Sequence, residues 1–372
     1  SFSGHWVWRM KDRIDRRFLA QFNDWPGMAP HGSSGQNDQM RCLGCGSKVP
    51  ATRLKQVLGE RTSALTYDDA HTFSDTAGEL WLQTIDQIRP LVPDLYLLGK
   101  IGLIHAASDI YAMGGEVVSV LANLSIEESE GRVADNLFAQ LSAGGFDQAS
   151  TEGFTIHGGH STEGLETQVG YAVTGRLLGA SVRSKRGLRV GDVLVLTKPL
   201  GVGLIFAAAM QRQIESGAIE AAIQVMLLSN RNAVNAVNGL DISAMTDVTG
   251  FGLAGHLSEM VQGEEKGVAI DVNALPVLPG VDDLLAQTSV ESSLSPHNRA
   301  AVDGWLKPQV NSAYDEAKIR LLFDPQTSGG LLIGVARAEV DQCLEQLHRA
   351  GYLEAVAIGE VIPSDCAEVI FS

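Results

Sequence analysis

Cysteine is scarce in this chain, with only Cys42, Cys45, Cys343 and Cys366 among 372 residues. That is too few for a disulfide framework at this length and fits reduced thiols in a cytoplasmic protein. Basic residues are outnumbered, 28 Lys and Arg against 44 Asp and Glu, for a net charge of −16. Nucleic-acid partners need a basic surface, so this balance argues against them. Charged residues make up only 19% and hydrophobic residues 45%, which argues against a disordered chain. No apolar run is long enough to span a bilayer. A Walker A sequence and a dinucleotide fingerprint are both missing. The Cys42-Leu43-Gly44-Cys45 pair has no second pair to complete a four-ligand zinc site. A redox pair stays open as a weaker alternative, since no thioredoxin-like pattern surrounds it.

Glycine, by contrast, is plentiful: 40 residues, which implies many tight turns and close backbone approaches. The most telling use is Gly44-Cys45-Gly46-Ser47-Lys48. The Lys48 ammonium suits phosphate and also favours the Cys45 thiolate, the reactive form of the thiol. A bendable loop with both groups suggests sulfur-type or selenium-type chemistry at a phosphoryl group.

Carboxylates form the second pattern. Asp68-Asp69, Asp86, Asp109 and Asp247 each stand in apolar or glycine-rich surroundings and are read here as beside turn-like elements. Singly, each suits a cap or turn. Together they suit Mg²⁺, which takes oxygen ligands and bridges to phosphate oxygens. An acidic protein that binds a polyphosphate needs such metal between the two sets of negative charge. Gly158-Gly159-His160-Ser161-Thr162, placed straight after a predicted strand, would offer backbone N–H groups to phosphate. Asp324-Pro325-Gln326-Thr327-Ser328-Gly329-Gly330, polar and glycine-rich between strand-like runs, suits a structured inter-strand loop or a ligand contact.

Periodicity predicts strands at Val117–Leu124, Phe154–Gly158, Gln168–Leu178, Asp192–Thr197 and Leu331–Val335. It predicts helices at Arg132–Gly145, over 217–238 and at Glu339–Gly351. This alternation indicates two α/β or α+β units. Residues 5–25 read as a basic amphipathic helix with Trp and Phe, suited to another domain or a membrane surface, and Pro30–Gln39 as a flexible linker. The division expected is an upstream tail and linker at 1–40, one domain at 41–182 with a mobile catalytic loop at 41–50, and a second domain at 183–372.

Seven motifs in order resemble the selenophosphate synthetases (selenide, water dikinases) of the aminoimidazole ribonucleotide synthetase-like superfamily. They are Gly-Cys-Gly-Ser-Lys at 44–48, Asp-Asp-Ala at 68–70, Ser-Asp-Ile-Tyr-Ala-Met-Gly-Gly at 108–115, Gly-Gly-His-Ser at 158–161, Thr-Lys-Pro-Leu-Gly-Val-Gly at 197–203, Met-Thr-Asp-Val-Thr-Gly-Phe-Gly-Leu at 245–253 and Asp-Pro-Gln-Thr-Ser-Gly-Gly at 324–330. The resemblance implies a mixed-sheet N-terminal domain that binds ATP and dimerises, followed by an α/β C-terminal domain. It implies the reaction of ATP, selenide and water to selenophosphate, AMP and phosphate. It implies catalytic roles for Cys45 and Lys48 and Mg²⁺ ligation by Asp69, Asp109 and Asp247. Nucleotide contacts are implied for Lys48, Thr66, Tyr67, Asp68, Asp86, Asp109, Gly159, His160 and Ser161. A homodimer with shared active sites follows from it as well, and it leaves open whether K⁺ is also used. Another ATP-dependent kinase or synthetase of the superfamily is the alternative. Departures are Ser47, where many members have cysteine, and His105, where asparagine is frequent. Residues 5–25 resemble the tail of a fused NADH dehydrogenase-like flavoprotein. With Ser1 in place of a methionine, this makes the chain the expected C-terminal part of a longer one, its membrane proximity set by that upstream domain.

Overall fold

The structure is a computed structural model that describes residues 44, 48–49, 57, 68–177, 182–287, 289–308 and 315–371. The amphipathic segment 5–25, the linker, Cys45, Thr66 and Tyr67 lie outside the described residues.

The N-terminal half starts with strands β1 (His71–Ser74) and β2 (Leu80–Ile88), then helix α1 (Leu95–Ala112). Asp94 starts α1 by accepting the Leu97 N–H on its carboxylate at 3.1 Å. Apolar residues cover most of the circumference of α1, as expected of a helix buried on all sides. Next come β3 (Gly115–Glu127), α2 (Arg132–Glu152), β4 (Ile156–Gly164) and β5 (Gln168–Leu177). Helix α2 stops at Gly153, whose φ of 79° is the left-handed conformation glycine supplies cheaply. The sheet order is β1-β2-β5-β3-β4, with the β3–β4 pair parallel and the others antiparallel.

Helices α1 and α2 touch backbone to backbone. A Cβ at Gly144 would sit 1.9 Å from the Tyr96 carbonyl oxygen, and one at Gly99 2.2 Å from that of Leu141. Behind them the Tyr171 hydroxyl of β5 donates to the Gly99 carbonyl at 3.2 Å, which ties α1 to the sheet.

The C-terminal half holds β6 (Val193–Leu196), α3 (Val202–Met210), α4 (Ser216–Leu227), α5 (Arg231–Ala236), β7 (Ile242–Asp247), α6 (Gly252–Val261) and β8 (Lys266–Ile270). It continues with α7 (Val281–Gln287), α8 (Ser295–Val302), β9 (Leu306–Pro308), a 3-10 turn at Lys318–Phe323, β10 (Leu331–Val335), α9 (Val340–Arg349), β11 (Val356–Pro363) and β12 (Glu368–Phe371). Its sheet runs β7-β10-β6-β11-β8-β12-β9, antiparallel except where β12 pairs with β8 and β9. Strands β6 and β10 are buried along their whole length, which is why they read as unbroken apolar runs. Ala107 and Tyr111 of α1 share a core with Val195, Met245, Ile333 and Leu347. Helix α1 is therefore packed against both sheets, and this places its polar residues at the junction of the two halves.

Several sequence expectations change. The glycine pair at 158–159 lies inside β4 rather than after a strand. Pairing with β3 carries the strand on to Gly164, and a register shift between Val120 and Ala122 absorbs the irregularity. A Cβ at Gly159 would lie 1.8 Å from the Ala122 carbonyl oxygen, so close strand approach requires that glycine. Asp109 sits in the last turn of α1, not beside a turn. Asp247 is the last residue of β7 and caps no helix; α6, which follows, has no side-chain cap. The 217–238 region divides into α4 and α5, separated near Asn230.

Candidate active site

Asp69, Asp109 and Asp247 meet at the junction of the halves, brought there by the segment before β1, the end of α1 and the end of β7. Burial pushes the Asp69 carboxyl up to about 6, against the pull of Lys185 and with the push of Asp247. Burial also raises Asp109 well above the carboxylate range, and the nearby charges of Asp247, Asp86 and Asp69 add to it. Asp247 is raised by burial too, partly offset by a hydrogen bond from Ser108 and by His105. Three buried acids that mutually resist ionisation form a region of unbalanced negative charge.

Their remaining partners orient them. The Thr84 hydroxyl donates to Asp109 Oδ2 at 2.5 Å. The Thr246 hydroxyl donates to Asp69 Oδ1 at 3.0 Å, and the Lys185 ammonium lies 2.9 Å from the same oxygen. The Asn230 amide donates to the Ser108 hydroxyl at 2.8 Å, steering that hydroxyl toward Asp247. Asp69 Oδ2 and Asp247 Oδ2 are buried and, among the described residues, have no hydrogen-bond partner. Desolvated carboxylate oxygens of this kind fit a hard cation, whose charge would relieve all three acids. Among the described residues, no three His, Cys, Asp or Glu side chains form a ready-made metal cage.

A second cluster adjoins the first. Lys48 Nζ lies 3.2 Å from Asp86 Oδ1, and His105 Nε2 lies 3.4 Å from Asp86 Oδ2. Burial opposes ionisation of Asp86, but Lys48 and His105 outweigh it and hold the carboxyl below its usual range. The Asp68 carboxylate turns elsewhere and accepts from the Ser184 hydroxyl at 2.7 Å and the Lys185 N–H at 3.1 Å. Gly159, His160 and Ser161 stand on the exposed edge strand β4. None of the described hydrogen bonds or ion pairs ties them to the carboxylates.

Sequence reasoning missed Lys185, which bridges Asp69 and, at 3.1 Å, Glu259. It follows the strands of the first half in a segment outside every motif singled out in the sequence. It also missed Lys198, fully buried, whose ammonium donates to the carbonyls of Leu228 and Ser328, the latter at 2.9 Å. Lys198 lies within the Thr-Lys-Pro-Leu-Gly motif, but nothing in the pattern shows that its charge points inward.

Comparisons with known proteins bear on the family and the fold. A family model described as AIR synthase related protein, N-terminal domain, matches residues 67–180, and its C-terminal counterpart matches 189–371. The chain is 37% identical over 298 residues to a selenide, water dikinase of Geobacter metallireducens, covering 80% of this chain and 85% of that protein. A selenide, water dikinase of Nitratidesulfovibrio vulgaris is 34% identical over 347 residues, covering 87% and 95%. Among solved structures, the thiamine monophosphate kinase of Aquifex aeolicus aligns with a TM-score of 0.64 at 14% identity, covering 87% of this chain and 98% of that one. The hydrogenase maturation protein HypE of E. coli aligns with a TM-score of 0.59 at 18% identity, covering 96% and 93%. These two structures bear on the fold alone, a two-domain architecture with mixed sheets, whereas the dikinase identities extend over most of the chain. On these matches over most of its length, the chain belongs to the selenide, water dikinase family.

Proposed function

We propose that the chain makes selenophosphate from ATP, selenide and water, releasing AMP and phosphate, as the names of its relatives indicate. The observation that carries the reading is the acidic cluster with two buried, unpartnered carboxylate oxygens, set beside the Lys48–Asp86 pair. Asp69, Asp109 and Asp247 would hold Mg²⁺. When bound, it supplies charge neutralisation for the triphosphate and for the phosphoryl group in transfer. Lys48 donates to phosphate, and Asp86 keeps its ammonium in place. Thr66, Tyr67, Asp68 and Asp86 line the nucleotide. Cys45 handles selenide next to the terminal phosphate. Its loop, within a domain spanning 41–182, completes the site against the domain at 183–372.

Two copies of the chain would share sites through the edge strand that carries Gly159, His160 and Ser161. The sheet that ends in this strand supports the assembly, since it exposes Ile85 by 66% and Leu121 by 50%, both paired with Ala172 of β5. The cytoplasm is the compartment that suits its thiols. K⁺ is a further cation to test, in the same assay.

Phosphorus NMR of ATP with the protein, Mg²⁺ and anaerobic selenide tests the reading. A new selenide-dependent phosphorus signal with AMP formation is expected, lost in Cys45→Ala while nucleotide binding persists. ATP hydrolysed equally without selenide would refute it.

A further inference from the structure

No step of the proposed chemistry uses Asp324-Pro325-Gln326-Thr327-Ser328-Gly329-Gly330. Its Ser328 has a φ of 52°, a left-handed conformation that non-glycine residues adopt at a cost. Three contacts hold it there. Its hydroxyl donates to the Met226 carbonyl at 2.8 Å, its carbonyl accepts from the Lys198 ammonium at 2.9 Å, and its N–H points at His105 Nδ1 at 3.3 Å.

The last contact decides the state of the imidazole. A ring nitrogen that accepts an N–H carries the lone pair, so the ring proton of neutral His105 sits on Nε2. That nitrogen faces the carboxylate, 3.4 Å from Asp86 Oδ2. The other oxygen of Asp86 faces the Lys48 ammonium at 3.2 Å. His105 is itself fully buried on α1, so it has no freedom to swing away.

We infer that His105 and Ser328 are positioning residues: the 324–330 loop of the second half sets the imidazole, the imidazole sets Asp86, and Asp86 sets Lys48. The inference rests on the reading of Lys48 as a phosphate donor. The strained serine and its N–H contact to the ring thus occur at one residue. The relay also accounts for a histidine where the resemblance expects asparagine. A side-chain amide offers the same pair of functions, a carbonyl oxygen toward Ser328 and an NH₂ toward Asp86.

The test uses the full chain and three readouts. Nitrogen-15 NMR of imidazole-labelled wild-type protein should show His105 as the Nε2–H tautomer; the Nδ1–H tautomer would overturn the inference. His105→Leu should raise the acetylation rate of Lys48, read by mass spectrometry, at least about threefold, and His105→Asn should restore the wild-type rate. In the selenide-dependent assay His105→Leu should lower kcat at least about tenfold with little change in KM for ATP, again restored by His105→Asn. If Leu labels and turns over like wild type, or if Asn behaves like Leu, the relay is wrong. If wild type shows no selenide-dependent turnover, the proposed reaction fails, while tautomer and labelling still decide the positioning role.

Discussion

Lys198→Met tests the buried tether that holds Ser328. The Lys198 side chain is fully buried, and desolvation lowers its ammonium from 10.5 to about 7, against the attraction of Asp247 and Glu152. The gap from 10.5 to about 7 corresponds to about 5 kcal/mol at 1.36 kcal/mol per pH unit. The sign follows from linkage. Between these two values the unfolded chain keeps a proton that the folded chain has released, so folding stability rises with pH across that window. Below pH 7 both states are charged and the full penalty stands. Methionine is of similar length and carries no charge, so it removes the penalty and its pH dependence. It also leaves the Leu228 and Ser328 carbonyls without their donor, at about 1–3 kcal/mol each. The two effects are comparable near pH 6.5, where wild type and variant should unfold at similar guanidinium concentrations. At pH 9.5 the wild type should have gained about 3 kcal/mol that the variant lacks. Other titrating groups are common to both proteins and drop out of the difference. A difference that stays constant between pH 6.5 and 9.5 would refute the account of a buried, proton-releasing lysine.

Two further outcomes follow from the geometry. Asp247→Asn removes one of the two unpartnered carboxylate oxygens and should weaken Mn²⁺ or Mg²⁺ binding in the presence of a non-hydrolysable ATP analogue by at least about tenfold, measured by calorimetry; unchanged binding would remove Asp247 from the metal site. Gly144→Ala pushes a methyl to within 1.9 Å of the Tyr96 carbonyl oxygen, so α1 and α2 must part. Its expected cost is about 3 kcal/mol or more in denaturant unfolding, and a neutral result would contradict the backbone contact.

The alternation of apolar runs was enough to place β3, β5, β6, β10 and α9 near their observed bounds, because buried strands and amphipathic helices carry their periods in the chain; it placed the start of α2 but ended it at Gly145 instead of Glu152. Helix α1 escaped notice because it is apolar all round and so has no period to detect. Strand β4 was shortened because Gly158 and Gly159 look like a strand end, while the pairing that continues it belongs to β3, more than 30 residues earlier.

By itself the sequence determined the acidic balance that calls for a cation beside a polyphosphate, and the ordered motifs that identify the family. Those are properties of residue type and order, which the chain carries whatever its shape. Only the tertiary structure decided which carboxylates share one buried space, which oxygens are left without partners, and that Lys185 and Lys198 turn inward. Only it decided that a serine held at positive φ faces a histidine 223 residues away in the chain. Burial, hydrogen-bond direction and electrostatic coupling depend on distances between segments remote in sequence, and no local pattern records them.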